Sequence, residues 1–478
     1  VVSRLHLFEE KQDEFERGLL MCRERGLNAV VSREWDDLGE MLKRAIMQSN
    51  ERYEIIKGLL AKGDSAWLGE AYAIINRVRN LVYQEDPKWA SRHPSYGSSP
   101  YYDMQGLAYL ELADRLLDHL LSAAAGRDNE VSAVLKDWDV DGQDEVLIET
   151  PTQTVSIDLQ GGCINYHHVI APHLSGDARA LLDILKSDIE GFKAYNSVYR
   201  YSCPLVLTET ESSMQNFIYA EGGRRENCRN SLRCNVVKYD SGIYTVLGKL
   251  EAATYRVQML KACGNSAEAG LYLSAGINDE ELGQLDMVME KTYRVSGDEM
   301  TVVIKASTKD KNRAAKLFLA PQIVSSAAPS DEVNFKPTAY LGFRAAAGAV
   351  ECVIEDIQAG TAEGIDYQGK TLYMEDIRNI DYIYSINSAN GDRFQNLLSI
   401  EVEGDVRRAE IKPAVIQYYE GLVFENQSRL GYNSSGIMII PYVPFIDGQA
   451  EIKIRLTWKF DSPAEESDYL QTVNLIDV

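Results

Sequence analysis

The stretch Asp137-Trp138-Asp139-Val140-Asp141-Gly142-Gln143-Asp144-Glu145 has the residue types and the spacing to hold a metal ion. Asp137, Asp139 and Asp141 fall at alternate positions, so a loop would wrap their oxygens around one hard cation. Gly142 permits the sharp turn that such a loop needs. Calcium is the cofactor this pattern predicts, with Gln143 and Glu145 completing the ligands. In a complete EF-hand the twelfth position is a bidentate glutamate; here it is Ile148, so Glu145 would have to close a shorter loop. The same residues also suit a solvated acidic turn capping a strand. Both readings put the segment at the surface, at the entrance to a β domain.

A second set is Tyr166-His167-His168-Val169-Ile170-Ala171-Pro172-His173, with three of the chain's 6 histidines. Three imidazoles could bind zinc or copper. Adjacent strand residues face opposite ways, however, which keeps His167 and His168 off a common ion unless the strand is broken. Ordinary polar or sheet-edge histidines are the expectation. Tyrosine (27) outnumbers phenylalanine (11), and a ring with a hydroxyl at its rim suits sugars as well as protein contacts. Trp89, Tyr101, Tyr102 and Asp103 are the predicted carbohydrate-contacting residues; packing of these aromatics onto neighbouring helices is the alternative.

These side chains need elements to position them. From Glu9 to about Gly126, apolar residues recur at helical spacing: Phe15, Leu19 and Cys22, then Leu38, Met41, Leu42 and Ala45, then Leu68, Tyr72, Ile75 and Val78. Leu27 to Ser32 reads as a strand between two helices, like the closing unit of a βα barrel, and Glu34 falls in the first turn of the second helix. The Pro-, Ser- and Gly-rich run from Trp89 to Tyr102 reads as a surface loop. Beyond Asp137 period-2 runs dominate, including Val155–Leu159, Met287–Val295, Met300–Ile304, Ala339–Phe343 and Glu451–Trp458. Turn signals at Ser296-Gly297-Asp298, Asn390-Gly391-Asp392 and Asp447-Gly448 separate strands, and Ser175–Ile189 reads as a helix. The predicted class is therefore α+β: an N-terminal helical bundle over 1–130, a candidate remnant of a βα barrel, followed by a large antiparallel β-sandwich over 131–478.

Composition bounds the partners. The 478 residues are 45% hydrophobic, enough for real cores in roughly two to four domains. Acidic residues outnumber basic ones by 72 to 49, and the net charge of −23 repels phosphate backbones and anionic lipid. Nucleic acid and membrane surfaces are not expected partners. Seven cysteines are too few for a disulfide scaffold; Cys228 and Cys234 are close enough in sequence to form a bridged loop.

The order of helical bundle, then Asp137-x-Asp-x-Asp-Gly-x-Asp-Glu-Val-Leu-Ile-Glu149, then Asp158-x-x-Gly161-Gly162-x-Ile164 resembles the C-terminal half of glycoside hydrolase family 57, especially its 4-α-glucanotransferases and α-amylases. Lys291-Thr292-Tyr293-Arg294-Val295-Ser296-Gly297-Asp298 resembles a sheet of the galactose-mutarotase-like sandwiches to which that half belongs. The resemblance spans roughly residues 25–478. It implies a carbohydrate-associated module, with α-glucan as the partner and a catalytic barrel lying upstream of Val1. That barrel would carry two carboxyls about 5 Å apart, and neither maps onto this chain. Two functional classes stay open: a module of an α-glucan-active enzyme, and a self-associating scaffold derived from a glycosidase fold. A mutarotase-like catalyst would need His168 or His173 beside Glu209 or Glu211, and nothing in their spacing supports it.

Overall fold

The computed structural model describes residues 130–138, 142–172, 202–206, 226–227, 231–240, 243–247, 250, 253–325, 372–375, 379–387, 393–424 and 427–462. The chain divides into two compact units, and these residues belong to the one comprising Arg127–Ser175, Val198–Leu207 and Glu221–Val478.

Strands β1 (Ser132–Lys136), β2 (Glu145–Glu149), β3 (Gln153–Asp158), β4 (Cys163–Ile170) and β5 (Ser202–Val206) pair in chain order as a five-stranded antiparallel meander. Next in the chain come β6 (Glu226–Asn227), β7 (Arg233–Asp240), β8 (Ile243–Val246), β9 (Arg256–Cys263), β10 (Ser266–Asp279), β11 (Gly283–Ser296) and β12 (Glu299–Thr308). A single helical turn, α1 (Lys311–Ala314), precedes β13 (Leu317–Ser325), β14 (Leu372–Glu375), β15 (Asn379–Asn387), β16 (Arg393–Gly404), β17 (Arg408–Phe424), β18 (Gln427–Pro444) and β19 (Gln449–Ser462). One seven-stranded sheet runs β15, β16, β19, β12, β11, β10, β9; the other runs β14, β17, β18, β13, β7, β8, with β6 paired to β17.

Strand β11 shows why these residues are sheet. Its burial alternates along the strand, so that Leu285, Met287, Met289, Lys291, Tyr293 and Val295 all point inward. The facing phase of β12 supplies Met300, Val302 and Ile304, and that of β19 supplies Ile452, Ile454 and Leu456. Each such aliphatic side chain contributes about 1.5–3 kcal/mol relative to its exposed state. The opposite phase is wet: Arg455 Nη1 lies 2.7 Å from Glu401 and Lys453 Nζ lies 2.9 Å from Glu403. Exposed pairs of this kind add little stability, but they identify the solvent side.

In the second seven-stranded sheet the inner face is the one carrying Val236, Leu317 and Leu319, all fully buried. Lys238 shares that face, and its Nζ reaches Glu281 (2.7 Å), in the turn between β10 and β11 of the other sheet. The hairpin joining β18 to β19 turns on Asp447 (φ 52°) and Gly448 (φ 80°), both in the left-handed region that tight hairpins favour. A Cβ on Gly448 would lie 2.6 Å from the Thr308 carbonyl oxygen, so only glycine fits there.

The α+β expectation is corrected by this architecture. The described residues are almost entirely antiparallel sheet, their helix is limited to the 4-residue α1, and no helical bundle is seen among them. Apolar period 2, broken by turn glycines, leaves no 3.6-residue stripe to bury in this unit. The segment assigned to the bundle, 1–130, lies outside the described residues except for Glu130, and so does the helix expected at Ser175–Ile189. No helix among the described residues is long and apolar enough to cross a membrane.

Candidate functional site

The acidic loop enters β2 through its own hydrogen bonds. The backbone N–H of Gly142 donates to Asp137 Oδ2 (3.2 Å), with Gly142 at φ 88°. The Trp138 N–H donates to Glu145 Oε2 (2.7 Å), and Glu145 is buried rather than turned to solvent. Trp138 packs on Tyr166 of β4, ring centroids 4.6 Å apart, and forms a small core with Leu147. The two outer carboxylates of the predicted calcium set therefore bind the loop's own backbone, while Gln143 is exposed. Asp139 and Asp141 lie outside the described residues. Among the described residues no three His, Cys, Asp or Glu side chains gather as a cation site.

Among the described residues, a buried polar centre lies elsewhere, around Lys291. This lysine occupies an inward position of β11 and is fully buried. An ammonium carries three N–H donors, and here each finds a backbone carbonyl: Gly161 (2.8 Å), Gly162 (2.7 Å) and Leu232 (2.7 Å). Gly161 and Gly162 form the β3–β4 turn of the meander, and Leu232 directly precedes β7. One side chain thus ties all three sheets together. Tyr293, two residues on, adds a bond from its hydroxyl to the Gly162 carbonyl (2.6 Å), and the Tyr255 ring lies 4.9 Å from Lys291 Nζ. Leu232 holds φ 67°, a left-handed conformation that costs roughly 1–2 kcal/mol in a non-glycine residue.

The groups around this lysine are chemically quiet. Burial raises the Cys234 thiol despite the opposing charge of Lys291, so it stays protonated. Burial likewise raises the Tyr255 and Tyr293 phenols, so they too stay protonated. Cys234 is a free, buried thiol, so the bridge to Cys228 that their spacing would allow is not formed: it sits inside a sheet core, committed to Leu232 and Lys291.

Both described histidines are interior, not at a sheet edge, because β4 has neighbours on both sides. They take opposite faces, as strand geometry requires. His168 stacks toward Tyr166, while His167 meets the Trp458 ring edge-on at 4.8 Å. Gln153 spends both amide hydrogens on carbonyls, those of Gly297 and Glu299, so its Oε1 is left to accept from His167 Nε2 at 3.0 Å. Desolvation pushes the His167 pKa down to about 3 from 6.5. The imidazole is neutral in the fold, while the unfolded chain takes up a proton below pH 6.5. Stability is therefore fully present above pH 6.5 and is lost as pH falls toward 3, by about 1.4 kcal/mol per pH unit from this group. Denaturant titrations between pH 7 and pH 4 should show that slope, and His167→Gln should remove about one proton's worth of it. Equal slopes in the two proteins would refute the assignment.

Trp89, Tyr101, Tyr102 and Asp103, predicted to contact carbohydrate, lie outside the described residues, as do His173, Glu34, Glu209 and Glu211. The structure does join two sequence signatures that had no evident connection. Gly161-Gly162 of one and Lys291 with Tyr293 of the other meet at the three-carbonyl centre. The hairpin glycine Gly297, also in the second signature, accepts from the Thr152 hydroxyl (2.6 Å) beside the start of β3. Sequence reasoning took Lys291 as part of a motif and missed its burial. The available signal was its phase, since it follows Met287 and Met289 and precedes Tyr293 and Val295 at the inward positions of one strand.

No family model and no curated protein matches the sequence. Similar solved structures include the 4-alpha-glucanotransferase of Thermococcus litoralis, at 12% identity and a TM-score of 0.39, covering 88% of this chain and 57% of that one. Two others are galactose mutarotase-like proteins. The one from Clostridium acetobutylicum has 7% identity and a TM-score of 0.32, covering 69% of this chain and 99% of that one. The one from Lactobacillus casei has 8% identity and a TM-score of 0.33, covering 66% of this chain and 100% of that one. The chain spans a little over half of the glucanotransferase, and likenesses this low do not establish membership of glycoside hydrolase family 57.

Proposed function

We propose that this chain is a carbohydrate-associated β-sandwich module that holds saccharide without turning it over. The observation carrying this reading is the three-carbonyl centre. It makes Gly161-Gly162, from the signature that resembles α-glucan-active enzymes, and the Lys291–Asp298 segment, which resembles the mutarotase-like sandwiches, one packed unit of the core. The chemistry of that centre fits a non-catalytic role. Its lysine donates to three carbonyls and its thiol and phenols are held protonated, and elsewhere in the core His167 is neutral and fixed by Gln153. None of them is placed to accept or give a proton to a substrate. Calorimetric titration with maltoheptaose is expected to give a dissociation constant in the micromolar to millimolar range. Absence of heat and of competition across neutral maltooligosaccharides and cellooligosaccharides would refute the reading.

A self-associating scaffold is the second reading, favoured by one observation. Strand β1 is an outermost strand of the meander and exposes Val134 (43%) and Leu135 (46%) on opposite faces. Open strand edges with apolar side chains invite pairing between chains.

A further inference from the structure

Among the described residues only five large hydrophobic side chains are exposed, and two of them, Tyr239 (43%) and Val246 (51%), lie together on the outer face of the second seven-stranded sheet. They sit at the open end of an aromatic set crossing four adjacent strands. Tyr244 of β8 packs against Tyr239 of β7 at 4.7 Å, Phe318 of β13 meets Tyr244 edge-on at 5.7 Å, and Tyr442 of β18 stacks flat on Tyr244 at 3.6 Å and 5°. The set is anchored at its root, where the buried Tyr442 donates its hydroxyl to Glu410 Oε2 of β17 (2.7 Å). Exposure rises from Tyr442 toward Tyr239, so a fixed base carries an open ring at its rim.

We propose that this aromatic shelf is a binding surface for an uncharged pyranose chain, with Tyr239 as the ring on which a sugar stacks; the proposal rests on the carbohydrate reading above. Three observations select that occupant. The first is size. At about 150–250 Å² per aromatic side chain, four rings of which the most open is 43% exposed present at most on the order of 400 Å². A stable protein partner needs about 800 Å² on each side, whereas a few sugar rings need much less. The second is chemistry: the axial C–H faces of a pyranose are weakly positive and match the negative face of an aromatic ring, while the phenol of the exposed Tyr239 at the rim suits its hydroxyls. The third is charge, because a net charge of −23 opposes uronic-acid or sulfated chains and leaves neutral ones. Stacking on strands also gives pre-organisation, since the rings are already packed against one another before ligand arrives.

The test compares the full chain with Tyr239→Ala, Tyr239→Trp and Ile446→Ala by affinity electrophoresis and calorimetry, using maltoheptaose, cellohexaose and polygalacturonate as probes. Tyr239 is exposed enough that its replacement should leave the melting temperature unchanged, and Ile446 (57% exposed) is a second exposed apolar side chain outside the shelf. The expected result is binding of a neutral oligosaccharide that weakens about tenfold or more in Tyr239→Ala, persists in Tyr239→Trp and is unaltered in Ile446→Ala, with no binding of polygalacturonate. Equal binding by wild type and Tyr239→Ala would overturn the shelf while leaving the carbohydrate reading standing. No binding of either neutral probe by the wild type would overturn both.

Discussion

Lys291→Met is expected to destabilise the β unit by about 3–5 kcal/mol, lowering the melting temperature by on the order of 10 °C. The substitution keeps the volume and removes a buried ammonium, which by itself would relieve some desolvation. It also takes the ammonium from the Gly161 carbonyl, which has no other side-chain donor, and from those of Leu232 and Gly162, which keep only the Cys234 thiol and the Tyr293 hydroxyl. Unsatisfied buried acceptors cost about 1–3 kcal/mol each, so the loss outweighs the relief. Arginine should not rescue it, because a planar fork cannot aim three donors at carbonyls arranged around a single nitrogen. Chemical denaturation would check this, and a Lys291→Met protein as stable as wild type would show that the centre does not hold the sheets together.

The second large effect is expected at Gly162. Its φ of 50° lies in the left-handed region, and a Cβ there would stand 2.9 Å from Cγ and Cδ2 of Tyr255. Alanine must then bear the conformational cost and displace a ring that is itself 1% exposed. Together these give about 2–4 kcal/mol. Gly142→Ala is the matched contrast: its φ is 88° with nothing within 4 Å of the added carbon, so it should cost only the backbone term of about 1 kcal/mol. Because Gly162 is an acceptor for both Lys291 and Tyr293, the Gly162→Ala and Lys291→Met losses should fall short of additive in a double-mutant cycle. Strict additivity would mean that the turn and the lysine act independently.

Much of the sheet was legible from period-2 patterning. The runs at Met287–Val295, Met300–Ile304 and Glu451–Trp458 sit inside β11, β12 and β19, and the Gly297 and Asp447-Gly448 turns fall at hairpins. Strands β16, β17 and β18 were not foreseen. In β17 and β18 the prolines Pro413 and Pro441 and the glycines Gly421 and Gly431 look like breaks, yet the strands run through them at 17 and 18 residues. Neighbouring strands override weak local propensity, and local sequence carries no record of them. Lys291 was obscured for a related reason. A lysine reads as surface until three carbonyls, supplied by segments about 60 to 130 residues away, are brought to it by the fold. The aromatic shelf gave no signal either, because Tyr239, Tyr244, Phe318 and Tyr442 converge only through strand pairing. The Asp137–Glu145 pattern, expected at the entrance to the sheets, instead connects β1 to β2 within the meander, and its first and last carboxylates serve the loop's own backbone.

The most direct measurement is to incubate the chain with maltoheptaose and follow both bound sugar and product sizes by chromatography. The account predicts retention of the oligosaccharide with its length unchanged after long incubation. New maltooligosaccharides, shorter or longer, would contradict it by showing that the chain performs glycosidic chemistry; a probe neither retained nor altered would contradict its association with carbohydrate.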